Sequence, residues 1–142
     1  MSHPIIRRYY DLYNDRRFQE AADLFAPDAV IEHCSFANGP RRGGSAYIES
    51  ADSSIRAFPD AHIDVLSVES HGETIYEVEL MATGTHMGML DLGTYGRFQA
   101  TSNHIRVRHR EVLDIRDGKI ASASVTLDVT GLLAQLRTRP GV

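Results

Sequence analysis

The feature that most constrains the fold is a long alternation of apolar and polar side chains through the second half of the chain. A period of two is typical of strands that bury one face. The pattern runs through AHIDVLSVES and TIYEVELMATGTHM, and it continues in Thr101–Arg116 and Ile120–Val129. The turn sequences HGE and RDGK separate strands, and the second is a hairpin turn of the Asp-Gly type. The pattern therefore predicts a meander of four antiparallel strands.

The first part of the chain has helical spacing instead. Apolar residues recur at intervals of three and four over His3–Phe25, with a polar interruption at Asn14–Arg17, which predicts two short helices. Pro27 ends this region, because proline disfavours helical angles in the residue before it. The segment AVIEHCSFA then predicts a strand, and a helix is expected over about Ser45–Phe58. A last short helix is predicted in TGLLAQLR.

The order of the elements, helices first and strands afterwards, predicts an α+β fold instead of a doubly wound parallel sheet. A chain of 142 residues is long enough for one domain with a core and too short for two ordinary ones. We therefore expect a single domain that spans residues 1–142.

Charge and cysteine content argue against several classes of protein. The net charge is −4 and no basic stripe is present, which makes nucleic acid a poor partner. Cys34 is the single cysteine, which rules out an internal disulfide and suits a reducing compartment. No apolar run reaches the length of a membrane span, and the start MSHPIIRRYY lacks a signal-like apolar region. We expect a cytoplasmic protein with no membrane partner.

The last predicted strand has two very different faces. One face is apolar and consists of Ala121, Ala123, Val125, Leu127 and Val129. The other face is polar and consists of Ser122, Ser124, Thr126 and Asp128. If the polar row lines a cavity, the apolar row needs a partner, most simply a second copy of the chain. In the alternative, the apolar row is the core and Asp128 faces water. Strand parity alone leaves both arrangements open.

Two other strands carry ionisable residues in apolar rows. His86 ends the row of the long strand that follows HGE. In the next strand His109 lies in an apolar row that also includes Glu111, while three arginines point the opposite way. A histidine in such a row either lines a pocket or is buried for structural reasons. Tyr10 and Tyr13 on the first helix could likewise close a pocket with phenolic donors or belong to the core.

Motifs for bound cofactors are absent from the sequence. The seven histidines do not form H-x₃-H or HExxH spacings, which argues against a metal site. The glycine-containing segment GTHMGML lacks the lysine of a phosphate loop and the serine of a nucleophile elbow. We expect no metal, no other cofactor and no covalent intermediate.

Several segments resemble a known family. FPDAHIDV, TGTHMG and above all RDGKIASASVTLDVTGLLAQL are similar to the SnoaL-like polyketide cyclases, a branch of the nuclear-transport-factor-2-like superfamily, which also contains ketosteroid isomerase. The resemblance extends from YYDLYNDRRFQEAADLFAPDAVIEH to the closing GLLAQL. It implies a cone-shaped α+β fold in which N-terminal helices pack in the concave face of a strongly bent, mixed or antiparallel sheet. A pocket would open between the helices and the sheet.

The resemblance also implies a reaction and a set of site residues. In the family's archetype, nogalonic acid methyl ester cyclase, an aspartate acts as acid and base in an intramolecular aldol ring closure, and that aspartate corresponds to Asp128. His86 falls on the histidine of the TGTH pattern and is the second predicted catalytic residue. His33 and Phe36 lie in IEHCSFANGPRRG, which matches a strand and loop that contribute to the pocket.

The remaining predicted pocket residues are His109, Tyr10, Tyr13 and Ser124. Family members commonly have a tryptophan where this chain has Ser124, and the smaller side chain is expected to leave a larger or wetter cavity. An alternative role for Asp128 is to cap the terminal helix, since aspartate is common at that position.

Three functions stay open at this point. The first is a cofactor-independent enzyme, a polyketide-type cyclase, that acts on a hydrophobic polyoxygenated small molecule and forms a homodimer or higher homo-oligomer. The second is another reaction in the same pocket, such as that of an isomerase, a dehydratase or a hydroxylase-associated protein. The third is a non-enzymatic ligand-binding or dimerisation module, because a fold does not fix a function.

Overall fold

The helices lie close to where the spacing predicts them. The computed structural model describes residues 3–33 and 39–138. Its α-helices are α1 (Pro4–Asn14), α2 (Phe18–Ala22), α3 (Gly44–Ala57) and α4 (Val129–Arg137). Its strands are β1 (Phe25–His33), β2 (Arg41–Arg42), β3 (His62–Ser70), β4 (Ile75–Thr85), β5 (Leu90–Asp91), β6 (Arg97–Phe98), β7 (His104–Arg116) and β8 (Lys119–Leu127).

The predicted break between the first two helices is present. Pro4 occupies the first turn of α1, where its missing N–H is not needed, and the His3 side chain accepts a hydrogen bond from the Ile5 N–H at 3.2 Å. The break itself contains Arg16, whose φ of 64° lies in the left-handed region. The helical region ends earlier than predicted. Phe25 already begins β1, and Pro27 lies where the pairing of β1 with β8 is irregular, a position that tolerates a missing N–H.

The main sheet is mixed and open. Among the described residues its strand order is β2-β1-β8-β7-β4-β3. The strands β3, β4, β7 and β8 pair antiparallel, which confirms the predicted meander. The strand β1 joins β8 in parallel, a pairing between the two ends of the chain that alternation within each strand does not specify. The result is the curved α+β architecture that the resemblance implied.

The helices cover one face of this sheet. Buried aromatic residues of α1 and α3 pack against the apolar rows of the strands, and Leu113 and Ile120 are fully buried there. A second buried cluster forms where Phe58 at the end of α3 meets β7 and α4, with Leu92 and Leu132 among its members. The two buried clusters therefore lie between the helices and the inner face of the sheet.

The two faces of β8 are assigned by this packing. Ala123 is 2 % exposed and belongs to the core, and Val125 and Leu127 line cavities on the same side. The polar row with Ser122 and Thr126 is on the other face of the sheet. Of the two arrangements that parity left open, the structure has the apolar row inside. An outward-facing apolar row on β8 was the reason to expect a second copy of the chain, and that row faces inward. The homo-oligomer therefore stays a prediction without this support.

Within the described ranges, no helix has the length and apolar composition needed to cross a bilayer.

Candidate active site

Two adjoining cavities lie between the helices and the inner face of the sheet. We name them the Glu111 chamber and the Leu92 chamber, and each has a volume of about 110 Å³. The polar wall of the Glu111 chamber consists of Tyr9, Tyr10, Tyr13, His33, Tyr47, Ser50, Ser54, His109 and Glu111. The apolar wall of the Leu92 chamber consists of Phe58, Ala61, Ile63, Ala82, Leu90, Leu92, Ile105, Val107, Leu127 and Leu132, and its polar lining includes Ser53, His62, Thr83 and Asp91.

The two chambers share part of their walls. Tyr13, His33 and His109 line both, as do Ser50 and Ser54 of α3. A ligand can therefore place an apolar portion among the side chains of the Leu92 chamber and a polar portion among those of the Glu111 chamber. An engineered cavity of about 150 Å³ holds one benzene molecule, so the pair of chambers has room for a compact ligand of one or two rings.

Glu111 is the one described carboxylate that is buried. It lies in the middle of β7, with Val78 of β4 and Val125 of β8 as its cross-strand neighbours, and it is 4 % exposed. Burial in this apolar setting raises the pKa of the Glu111 carboxyl from 4.5 to about 7, because the charged form loses its hydration. At neutral pH Glu111 can therefore both accept and donate a proton.

The partner of Glu111 is the hydroxyl of Tyr10 on α1. The Tyr10 O–H donates a short hydrogen bond to Glu111 Oε1, which favours the carboxylate and opposes part of the effect of burial. Burial and the nearby Glu111 charge raise the pKa of Tyr10 well above its usual value, so Tyr10 stays protonated. The pair therefore places one fixed donor on the carboxyl group of Glu111, which lies in the wall of the chamber.

Two histidines stand beside this pair. His109 lies two residues before Glu111 on the same face of β7, and His33 ends β1. Burial lowers the pKa of His33 to about 4, and burial together with the neighbouring His33 lowers the pKa of His109 to about 4. Both imidazoles are therefore neutral at physiological pH, and each keeps one N–H that can donate a hydrogen bond.

The helix α3 supplies the opposite wall. Tyr47, Ser50 and Ser54 follow one another at spacings of three and four, so they share one face of the helix. The Ser54 hydroxyl lies 2.9 Å from the Tyr13 hydroxyl, which connects α3 to α1 across the chamber. Tyr47 belongs to the apolar stripe of this helix, and Ser50 and Ser54 add hydroxyl groups to the same face.

Asp128 does not line either chamber. It is exposed at the N-terminus of α4, where Oδ1 accepts a hydrogen bond from the Gly131 N–H at 3.0 Å. A Cβ atom at residue 131 would overlap Asp128 Oδ2, so glycine permits this cap. The position differs from the expected pocket wall because the inner side of β8 is the apolar one. The capping role, left as the alternative above, is the one that the geometry supports, and a catalytic role for Asp128 stays a prediction.

The capping role predicts a modest change in stability. We expect Asp128→Ala to lower the free energy of unfolding by about 1 kcal/mol, because alanine leaves the Gly131 N–H without its partner. Asp128→Asn, which keeps an acceptor oxygen, is expected to change it by only a few tenths of that. Urea denaturation of the two variants measures the difference. Equal stability of the alanine and asparagine variants would contradict the cap.

His86 is fully buried outside both chambers. Its Nδ1 lies 3.0 Å from Thr101 Oγ1, and its backbone bonds to Asn103 and Ser102, which join the end of β4 to the segment before β7. Its ring packs against Phe58 at a centroid distance of 5.4 Å, and burial lowers its pKa. These contacts are those of a structural histidine, and a catalytic role for His86 stays a prediction.

The other predicted pocket residues divide into three groups. Tyr10, Tyr13, His33 and His109 all lie in the wall of the Glu111 chamber. Ser124 lies instead in a surface groove beside Glu32 and Thr126, so its size does not set the volume of either chamber. Phe36 lies outside the described residues.

Glu111 is the residue that the sequence reasoning passed over. The alternation pattern placed it correctly in the apolar row of its strand, next to His109. A lone carboxylate in such a row is a signal in itself, since glutamate is rarely buried without a specific reason. The family pattern drew attention to Asp128 in its place.

One group of described side chains has the composition of a metal site. Glu69, His71 and Glu77, at the hairpin between β3 and β4, each place a ligand atom within 4.8 Å of the others. His71 Nε2 lies 2.9 Å from Glu77 Oε2, and Arg110 pairs with the other oxygen of Glu77 at 3.1 Å. These exposed ion pairs account for the arrangement without a metal, and the group lies outside both chambers.

Comparison with known proteins supports the resemblance seen in the sequence. The family model described as SnoaL-like polyketide cyclase matches residues 3–136. A search of curated proteins found no match.

Solved structures with the same fold include three with related descriptions. IdmH from Streptomyces antibioticus, a proposed polyketide cyclase, is 23% identical, with 94% of this chain and 96% of that chain covered and a TM-score of 0.77. A proposed SnoaL-like polyketide cyclase from Jannaschia sp. CCS1 is 16% identical, with 99% of each chain covered and a TM-score of 0.80. AclR from Streptomyces galilaeus, a proposed hydroxylase, is 20% identical, with 97% of this chain and 82% of that chain covered and a TM-score of 0.76. Identities this low establish the shared fold alone.

Proposed function

The chain belongs to the SnoaL-like polyketide cyclase family, and from this premise we propose that it catalyses proton transfer next to a carbonyl group of a hydrophobic, oxygen-bearing small molecule, with Glu111 as acid and base. The observation that carries the proposal is a buried carboxyl group with a pKa of about 7 in the wall of a cavity. General acid-base catalysis is most effective when the pKa of the catalytic group is close to the working pH.

The specific reaction that we propose is an intramolecular aldol ring closure. The Glu111 carboxylate removes a proton from the carbon next to one carbonyl group, and the electron pair forms an enolate. The enolate carbon attacks a second carbonyl carbon of the same molecule, which forms the ring bond and an alkoxide. The protonated Glu111 returns its proton to this alkoxide, so the carboxylate is regenerated and the proton count balances.

The surrounding groups fit the steps of this reaction. The enolate oxygen carries negative charge in the transition state, and the N–H of the neutral His109 imidazole can donate a hydrogen bond to it. Tyr10 holds the carboxyl group in one orientation through its hydrogen bond to Oε1. The same groups would serve an isomerisation, in which the enolate forms no new carbon–carbon bond and the protonated Glu111 returns its proton to a different carbon of it.

The test is hydrogen exchange at an acidic carbon of a small ketone. The substrate for this test is 2-tetralone, a compact two-ring ketone, dissolved in D₂O. NMR follows the loss of the signal from the protons on the carbon next to the carbonyl group. The wild-type protein is expected to exchange this position faster than buffer alone. The absence of any acceleration over buffer would contradict the proposed acid-base chemistry.

The pH dependence of this exchange is a further prediction. Only the carboxylate form of Glu111 can remove a proton, and its fraction rises tenfold per pH unit below the pKa and levels off above it. The protein-dependent rate should therefore increase up to about pH 7, the pKa of Glu111, and then become constant. A protein-dependent rate that stays flat from about pH 5 to about pH 8 would contradict the assignment.

The same assay decides between Glu111 and Asp128. Asp128→Asn keeps the cap on α4 and removes the acid, so it should exchange the ketone at the wild-type rate if Glu111 is the base. Loss of exchange in this variant, with exchange retained in Glu111→Gln, would assign the acid-base role to Asp128.

A further inference from the structure

The hydroxyl group of Tyr47 is buried and has no hydrogen-bond partner among the described residues. Tyr47 is 8 % exposed and lies in the wall of the Glu111 chamber. Two tyrosines of α1 in the same chamber differ in this respect. The Tyr10 hydroxyl bonds to Glu111, and the Tyr13 hydroxyl bonds to Ser54. A buried hydroxyl without a partner destabilises a protein, because folding removes its hydrogen bond to water and replaces it with no other.

The position of this hydroxyl is fixed by the packing of its ring. The Tyr47 ring lies 5.4 Å from the rings of both Tyr9 and Phe25, measured between centroids, and 6.4 Å from the ring of Phe18. These contacts hold the ring from several sides, so the hydroxyl cannot turn away to find a partner in the solvent. A donor held in place before the ligand arrives needs no reorganisation when it binds.

Burial keeps the Tyr47 hydroxyl protonated, so that it can donate a hydrogen bond. Burial, followed by the neighbouring Tyr13 and Glu111, raises the pKa of Tyr47 above its usual value. Tyr47 lines the same chamber as Tyr13 and Glu111. The phenol therefore stays protonated, and it needs an acceptor atom that the described part of the chain does not provide.

We infer that Tyr47 donates a hydrogen bond to an oxygen atom of the ligand that occupies the Glu111 chamber, an inference that rests on the proposed function. The class of ligand is a compact, mainly apolar ring compound with a carbonyl oxygen on the ring that enters this chamber. The apolar part of such a ligand would contact the Leu92 chamber, which has no comparable unpartnered donor among its described residues.

The experiment compares two ligands that differ only in that oxygen. The wild-type protein and Tyr47→Phe are titrated with 2-tetralone and with tetralin, the same ring system without the carbonyl, and the dissociation constants are measured by NMR. In the wild type 2-tetralone should bind more tightly than tetralin. In Tyr47→Phe this preference should fall by about threefold to tenfold, the worth of one hydrogen bond, while tetralin binding stays unchanged.

A stability measurement distinguishes this role from a structural one. Because the hydroxyl has no partner among residues 3–33 and 39–138, Tyr47→Phe should melt at or above the wild-type temperature. Tyr95→Phe removes the same atom from a tyrosine that is 50% exposed, and it serves as the matched control with wild-type ligand preference. A lower melting temperature for Tyr47→Phe would show that the hydroxyl has a structural partner, and would overturn the inference.

The remaining outcomes separate the inference from the proposed function. If the wild type prefers the ketone and Tyr47→Phe keeps the full preference, Tyr47 is not the donor and the acid-base role of Glu111 is unaffected. If the wild type binds neither compound and does not accelerate exchange, the proposed function fails, and this inference fails with it.

Discussion

Replacing Glu111 by glutamine is expected to reduce the protein-dependent exchange of 2-tetralone by about a hundredfold or more. Glutamine has nearly the same shape and can still accept the hydrogen bond from Tyr10, but it cannot take up a proton. General acid-base catalysis by a positioned group contributes about 10²-fold to 10⁴-fold to a rate, and this contribution is lost as a whole. The measurement is the exchange rate by NMR, compared with the wild type at the same pH.

The same substitution is expected to increase stability at alkaline pH. The folded protein holds the Glu111 proton up to a pKa of about 7, whereas the unfolded chain releases it near 4.5. The unfolded state therefore binds fewer protons in this window, and wild-type stability falls as the pH rises through it. The advantage of Glu111→Gln over the wild type should grow by about 2 kcal/mol between about pH 5 and about pH 8.

His33 and His109 contribute to the pH dependence with the opposite sign. Their folded pKa values of about 4 lie below the usual value of 6.5, so their contribution is present above 6.5 and is lost as the pH falls toward 4. Both histidines are present in the wild type and in Glu111→Gln, so their contribution cancels when the two free energies of unfolding are subtracted. Urea denaturation of both proteins at each pH measures this difference.

The control for Glu111→Gln is the same substitution on the outer face of the sheet. Glu79 lies on β4, next to the strand of Glu111, and is neither buried nor in the wall of either chamber. Glu79→Gln is expected to retain the wild-type exchange rate. A Glu111→Gln variant that is folded and exchanges the ketone as fast as the wild type would remove Glu111 from the mechanism.

Leu113→Ala is expected to destabilise the protein by about 2 to 5 kcal/mol. Leu113 is fully buried on β7, two residues after Glu111, with Tyr76 and Ala123 as its cross-strand neighbours. The substitution removes buried apolar surface and leaves a cavity that a sheet held on both sides cannot close. The free energy of unfolding from urea denaturation, with a check that the slope is unchanged, measures the effect.

The matched control for this substitution is Leu66→Ala. Leu66 lies on the edge strand β3 and is 45% exposed, so its side chain already contacts water in the folded protein. Its replacement should change the free energy of unfolding by less than about 0.5 kcal/mol. Equal losses at the two positions would mean that β7 is not the centre of the core.

Much of the fold follows from local patterns in the sequence. The period-two alternation of β4 and β7, the helical spacing of α1 and α3, and the Asp-Gly turn before β8 are each properties of short segments, and each predicted element is present. The parallel pairing of β1 with β8 is different in kind. It joins residues about a hundred positions apart, and no local pattern in either segment indicates which strand it pairs with.

The candidate site shows the same division. Local patterns identified His109, Tyr10 and Tyr13 as polar groups within apolar rows, and they placed Asp128 before a helix, while the family resemblance pointed to His33. Parity also determined that Glu111 shares a face with His109. It could not determine which face of β8 is inside, because alternation defines two faces without saying which of them the helices cover.

The tertiary structure made that choice. Packing α1 and α3 on the side of Val125 turned Asp128 outward to cap α4, and it enclosed Glu111 with Tyr10 in a cavity. The physical reason is that burial and its effect on a pKa depend on what surrounds a side chain from every direction. Local patterns in the sequence define the elements and the identity of the polar groups, whereas the packing of the folded chain makes Glu111 the carboxyl group whose pKa lies near neutrality.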